Sequence, residues 1–139
     1  MKAITLWQPW ASLIADGLKK IETRPRPWYF VGCIAIHAGQ HVDKDACRQF
    51  GYDPDTIVHS AVLCIGDKTG CVQFPNVLAQ PDAYGNFDAG RYGYLLERVR
   101  KLVEPIPAKG HQGFWEWDAP AYLLVAPRKA QWVQLEMLC

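Results

Sequence analysis

The chain has 139 residues, half of them apolar, 12 % aromatic and 21 % charged, with a net charge of +1. A chain of this size buries roughly 68–70 % of its unfolded surface, so a core forms without staples. That composition excludes an intrinsically disordered chain, and the absence of both a Gly-X-Y period and a long apolar stretch excludes a collagen-like chain and a membrane-crossing helix. The opening MKAITLWQPW lacks the apolar core of a signal peptide, since Gln8, Pro9 and Asp16 break it. The cysteines, Cys33, Cys47, Cys64, Cys71 and Cys139, are odd in number and form no CxxC. The expectation is a chain of reduced thiols in the cytoplasm.

Lys2–Leu6 reads as a short extended segment. Pro9–Asp16 reads as a helix, with Pro9 in its first turn and Gly17 in the left-handed position past its end. Trp10, Leu13 and Ile14 then share one face, which makes Trp10 a core residue more than a ligand contact. Leu18–Thr23 is extended and ends at Pro25 and Pro27. Tyr29–His37, rich in β-branched and aromatic residues, is a buried strand. Asp43–Phe50 is a helix capped by Asp43 and stopped by Gly51.

Ala61–Asp67 and Cys71–Val77 are apolar strands joined across Lys68-Thr69-Gly70, a hairpin pattern that would let Cys64 and Cys71 face each other. Buried free thiols are the other reading of that pair. Residues 75–90 form a loop rich in Pro, Gly, Asn and Asp. Arg91–Leu102 is a strand that places Tyr92, Tyr94, Leu96, Arg98 and Arg100 on one face. Glu104–Gly113 is a loop, Phe114–Trp117 a short aromatic strand, and a short helix follows Pro120. Gln131–Leu138 fits either a last strand or an amphipathic helix. The whole reads as one α+β domain over residues 1–139, a small and largely antiparallel barrel with two or three short helices.

Charge is unevenly spread. Residues 17–30 and 91–109 each carry +3, whereas residues 43–88 carry −4. If the basic segments meet in space, one face is positive. Three segments are candidates for chemistry. In the first, Trp7 and Trp10 bracket Gln8-Pro9: a tryptophan stacks on a nucleobase, and Gln8 offers both a donor and an acceptor to a base edge. The second packs Lys19, Lys20, Glu22 and Arg24 into six residues. There Arg24 can grip a phosphate through its planar fork, and a desolvated Lys19 beside Glu22 can serve as base or nucleophile. In the third, PIPAKGHQGFWEW puts Lys109, His111 and Gln112 at the tip of a glycine-rich loop. His37 and His41 share a face only on a helix, which Gly39 opposes, so neither a metal nor any other cofactor is expected.

Together these segments resemble one family. LWQPWASLIADGLKKIETR is similar to the opening signature of the ASCH domain (activating signal cointegrator homology), whose G-x-K-x-x-E-x-R reads here as Gly17, Lys19, Glu22 and Arg24. GRYGYLLERV and PIPAKGHQGFWEW resemble the family's closing segments. The resemblance implies a PUA-like β-barrel with a basic cleft lined by this segment, and partners that are RNA, a nucleoside or a nucleotide, with no membrane. The expected binding residues are Trp7, Gln8, Lys19, Arg24, Tyr92, Lys109 and Gln112. As an alternative it implies a small hydrolase, either a single-strand-specific ribonuclease or an amidohydrolase of acetylated cytidine, with Lys19 and Glu22 as the catalytic pair. Glu22 stands where the amidohydrolases carry threonine, and a carboxylate does not replace a hydroxyl nucleophile. A second glutamate would be Glu97 or Glu104 by residue type alone.

Overall fold

The computed structural model describes residues 1–126 and 131–139. In chain order the elements are β1 (Lys2–Gln8), α1 (Trp10–Ala15), β2 (Ile21–Arg24), β3 (Gly32–Val42), α2 (Lys44–Gln49), β4 (Ala61–Gln73), β5 (Tyr92–Pro107), β6 (Phe114–Glu116), β7 (Tyr122–Val125), β8 (Gln131–Gln134) and α3 (Leu135–Leu138). The helix boundaries follow local chemistry. Gly17 takes a positive φ of 80° just past α1, and the Asp43 carboxylate accepts from the Ala46 N–H at 3.0 Å to open α2.

The strands are ordered β6-β1-β3-β4-β5-β7-β8, with β2 paired to β5 off that path. β1 and β3 run parallel, and the other pairings are antiparallel. The fold is α+β and mostly sheet, as expected, but the sheet is open where a closed barrel was expected. Its two ends, β6 and β8, are three and four residues long. Short edge strands of this kind limit pairing with other chains without closing the sheet.

Both faces of the central strands are buried. Ile4, Ile34, Ile36 and Leu63 pack with α1 and Tyr94 on one face. Ala3, Ala35, Val62 and Ile65 pack with Trp117, Leu123, Val125 and Leu138 on the other. A strand covered on both sides needs apolar residues at every position, which is why β3 and β4 show no polar alternation.

Several expectations are corrected. The hairpin at residues 68–70 does not form, because β4 runs unbroken through it. A bulge between Lys68 and Gly70 absorbs Thr69, and pairing with β5 resumes at Gly70–Leu95. The turn signal lost to the Lys68 side chain, which points into the core and donates to the carbonyls of Trp28, Phe30 (2.9 Å) and Gly70 (3.3 Å). With no hairpin, Cys64 and Cys71 do not face each other across one. The run of Tyr92, Tyr94, Leu96, Arg98 and Arg100 on one face breaks at Arg98, whose φ is +46°. β5 also extends to Pro107, into residues read as loop. Residues after Pro120 form β7 instead of a helix, since they pair with β8 from Tyr122–Gln134 to Val125–Gln131. Gln131–Leu138 combines both of its readings, strand then helix.

The reduced-thiol expectation is corrected as well. Cys33 and Cys139 form a disulfide across 106 residues of chain, while Cys47, Cys64 and Cys71 are free. It fastens α3 to β3. Arg98 and Arg100 donate to the Leu138 carbonyl at 3.1 and 2.8 Å and pair with Asp67, so the same segment is also held by β5. Among the described residues no helix is long and apolar enough to cross a membrane.

Lys68 is 1 % exposed, and its ammonium lies 5.3 Å from the Trp28 ring and 5.1 Å from that of Tyr94. Burial holds it below the ordinary lysine value. Lys68→Met keeps the volume but strands its carbonyl partners, and a buried polar group without a partner costs about 1–3 kcal/mol. Urea denaturation is expected to show a loss of that size; a variant as stable as the parent would show that these bonds contribute nothing net.

Candidate functional site

A cleft of about 560 Å³ opens between the β1–α1 corner, β2, the loop at 83–86 and the loop at 112–113. Local chain geometry delivers its side chains. β1 runs into α1 across Trp7 to Trp10, so both tryptophans reach the rim. β2 follows the Gly17 turn and carries Glu22, Thr23 and Arg24 along one wall. β2 pairs antiparallel with the start of β5, from Ile21–Leu95 to Arg24–Tyr92. The two basic segments of the sequence therefore meet, and the cleft holds the cations Lys19, Arg24 and Arg91 against one carboxylate, Glu22.

The charges are tied to one another. Lys19 is 2 % exposed and donates to the carbonyls of Ile21 at 2.9 Å and Tyr84 at 2.6 Å, with Glu22 Oε1 at 3.4 Å. Its Nζ lies 6.0 Å from the Trp10 ring. Glu22 accepts from the Thr23 N–H at 3.1 Å and from Arg24 Nε at 2.9 Å. Arg24 Nη2 donates to the Thr5 carbonyl at 2.9 Å. Burying ions costs several kcal/mol each, and here every one has charged or carbonyl partners. Among the described residues Arg24 Nη1 makes no hydrogen bond.

A second cavity, of about 660 Å³, lies on the other side of residues 108–112 and shares Thr5 and Gln112 with the first. Its floor is a chain of hydrogen bonds. The Trp115 indole N–H donates to Thr5 Oγ1 at 2.9 Å, Thr5 Oγ1 lies 3.1 Å from His37 Nδ1, and His37 Nε2 lies 2.7 Å from the Ala108 carbonyl. A carbonyl only accepts, so Nε2 carries the proton. Neutral His37 then accepts the Thr5 hydroxyl proton at Nδ1. Burial, together with the charge of His111, pushes His37 below the ordinary histidine value, whereas the Ala108 contact works against this. Gly110 lies against this ring: a Cβ there would stand 2.3 Å from His37 Cε1 and 2.9 Å from Thr5 Oγ1. Only glycine lets the loop sit so close.

The expected site residues are divided by the fold. Trp7, Lys19, Glu22, Arg24 and Gln112 come together in the first cleft. Gln8 does not: it is fully buried, its amide donating to Ser12 Oγ at 2.8 Å and the Val58 carbonyl at 2.5 Å, and its oxygen accepting the Ser12 N–H. It braces the β1–α1 corner and has no edge left for a base. Tyr92 packs against the core and lines neither cavity. Lys109 lines the second cavity. Glu97 and Glu104 are exposed on β5 and line neither. Trp10, expected in the core, packs against it as expected and also lines the cleft, its ring meeting Phe50 edge-on at 5.7 Å. Among the described residues no group of His, Cys, Asp and Glu side chains forms a metal set.

Sequence reasoning missed Thr23, Tyr84, Asn86 and Arg91. The loop bearing Tyr84 and Asn86 is tied down by contacts far apart in the chain, the Asn86 N–H donating to Thr23 Oγ1 at 3.0 Å and Lys19 to the Tyr84 carbonyl, and by a local one from Arg91 Nε to the Asn86 carbonyl at 3.2 Å. The signal for Arg91 was its place in the basic segment, and for the loop that ordered, turn-rich loops often carry binding residues.

No family model matches this chain. Two solved structures resemble it: a single-substitution variant of the ASCH protein of Zymomonas mobilis, with a TM-score of 0.50, and the ASCH protein itself, with 0.49. Each is 20 % identical and covers 76 % of this chain, over 74 % and 72 % of its own length respectively. The first of these, at a TM-score of 0.50, shows a fold of the ASCH type that the signature segments imply.

His37 supplies a pH test. The unfolded chain takes up a proton near about 6.5 while the folded one resists it, so stability is full above that value and declines as pH falls below it. Denaturation midpoints are expected to drop between neutral and mildly acidic pH, and less so in His37→Gln; equal drops would clear His37 of any part. Separately, Gly110→Ala is expected to lower the thermal midpoint by forcing the loop off His37, and an unchanged midpoint would show that the loop adjusts freely.

Proposed function

We propose that the first cleft binds RNA or a single nucleotide, modified or unmodified, within one ASCH/PUA-like domain over residues 1–139. The observation that carries this reading is the convergence of two tryptophans with Arg24 and Arg91 around the Lys19–Glu22 pair. Its volume suits a ligand of nucleotide size, since small-molecule sites span roughly 300–1,000 Å³. Trp7, 55 % exposed at the rim, is the stacking platform, and Arg24 meets the phosphate through Nη1, since Glu22 and the Thr5 carbonyl hold Nε and Nη2. Gln112 borders the cleft and meets the base or the sugar.

Binding ranks above catalysis for a geometric reason. Three oxygens surround the Lys19 ammonium, which leaves no lone pair to attack a substrate or take its proton. Glu22 is likewise held between Lys19, Arg24 and a backbone N–H. Both act as electrostatic framework that sets Arg24 in place. A hydrolase, on single-stranded RNA or acetylated cytidine, requires this network to open when substrate arrives. A cytoplasmic location belongs to the same proposal; there the Cys33–Cys139 bridge would meet a reducing environment.

A binding screen over nucleosides, nucleotides and short RNAs at two salt concentrations tests the reading. Base stacking contributes about 1–3 kcal/mol, so Trp7→Ala is expected to weaken binding roughly 5- to 150-fold with near-parental melting, because Trp7 is exposed. Arg24→Lys keeps a charge beside Glu22 but loses the Nη1 donor, and is expected to weaken binding too. Unchanged affinity in both variants would remove the cleft from consideration. Turnover that vanishes in Lys19→Ala would place catalysis first.

A further inference from the structure

We propose that the second cavity is a subsite for a neighbouring, phosphodiester-linked nucleotide, so that the ligand is a strand threading both cavities and not a lone nucleotide. This deepens, and rests on, the reading of the first cleft. Three observations carry it. The cavities adjoin, because Thr5 and Gln112 line both. They are also of similar capacity, about 560 and 660 Å³. Finally, the second carries a cation: Lys109 stands on its rim beside His111, Gln40, Ser60 and Gln112, and no carboxylate lines it among the described residues.

The division of labour suits a strand. The tryptophans stand at the first cavity, where a base stacks. The second offers a flexible ammonium and amide and hydroxyl donors, which suit a phosphate and a sugar. A positively charged track with an aromatic platform is the general design for single-stranded nucleic acid. The loop that separates the cavities is also held in place. Gly110 lies against His37, and His37 bonds Ala108 just before it, so Lys109 and His111 project from a braced backbone. Lys109 is exposed on its loop, which suits a contact made to a backbone phosphate.

Length dependence is the test. The nucleoside monophosphate that binds best is compared with its dinucleotide and hexanucleotide by competition titration, over a series of salt concentrations. The hexanucleotide is expected to bind at least roughly tenfold more tightly, with a salt slope steeper by about 0.7 for each added phosphate contact. In Lys109→Ala the ratio of hexanucleotide to mononucleotide affinity is expected to fall toward one, and the slope to lose about 0.7. Mononucleotide binding with no gain for longer strands overturns the second subsite and leaves the first cleft standing. A length gain that survives Lys109→Ala with its salt slope intact also overturns it. No binding by any of the three ligands overturns the reading of the first cleft, and this one with it.

Discussion

The Glu22 carboxylate, buried between Lys19 and Arg24, is the interaction on which the arrangement of the first cleft depends. A buried charge is tolerable only when its partners are fixed. Those partners come from distant parts of the chain. Arg24 reaches the Thr5 carbonyl on β1, and Lys19 reaches the Tyr84 carbonyl in the long loop. One carboxylate therefore aligns β1, β2 and the 83–86 loop, and the cleft is the space left between them. Loss of any member strands a charge, so the cluster is a structural joint.

Lys68 repeats that solution with no carboxylate. Backbone carbonyls and two aromatic rings take the place of a counter-ion. Around it, Trp28 stacks with Phe30 and Phe114 and meets Tyr94 edge-on. Burial is the main cause that pushes the Tyr94 hydroxyl up to about 12, and it donates to the Arg26 carbonyl at 2.7 Å. Residues 25–31, which have no regular structure, are thereby tied down by side chains of β4 and β5. At the opposite end the C-terminal helix is secured by a disulfide and by two arginines. Tertiary contacts thus supply order where helices of four to six residues are too short to be stable alone.

The two cavities adjoin because β1 and the 108–113 loop are coupled through Thr5. Its carbonyl serves Arg24 on one side, and its hydroxyl serves Trp115 and His37 on the other. A single threonine links the charge cluster of one cavity with the neutral hydrogen-bond chain of the other. Asp16 makes a comparable link at the far end of α1, where it accepts from both Lys101 and Tyr52 at 2.6 Å. Burial raises the Asp16 carboxyl, but those two bonds outweigh it and leave it below its ordinary value.

Local chemistry was legible in the sequence wherever one residue acts on its own neighbours. The α1 and α2 boundaries follow from Gly17, Asp43 and Gly51, since caps and left-handed turns are decided within a few residues. The apolar runs of β3 and β4 announced burial on both faces. The signature segments announced the ASCH-type fold, and they contain Trp7, Lys19, Glu22, Arg24 and Gln112, which share the cleft. Other features depend on partners far away in the chain. Residues 68–70 carry a turn signal, yet the fold offers Lys68 three carbonyls, so the strand continues. Gln8 has the chemistry to read a base, yet Ser12 and Val58 consume it. Lys109 belongs to the basic set by charge, yet the Gly110 approach to His37 turns it into a different cavity. Cys33 and Cys139 are 106 residues apart, and only the fold brings them together. Residue type and spacing determined which side chains have binding chemistry. Tertiary structure decided which of them remain free to use it, because a hydrogen-bonding group is available to a ligand only when no buried neighbour has already claimed it.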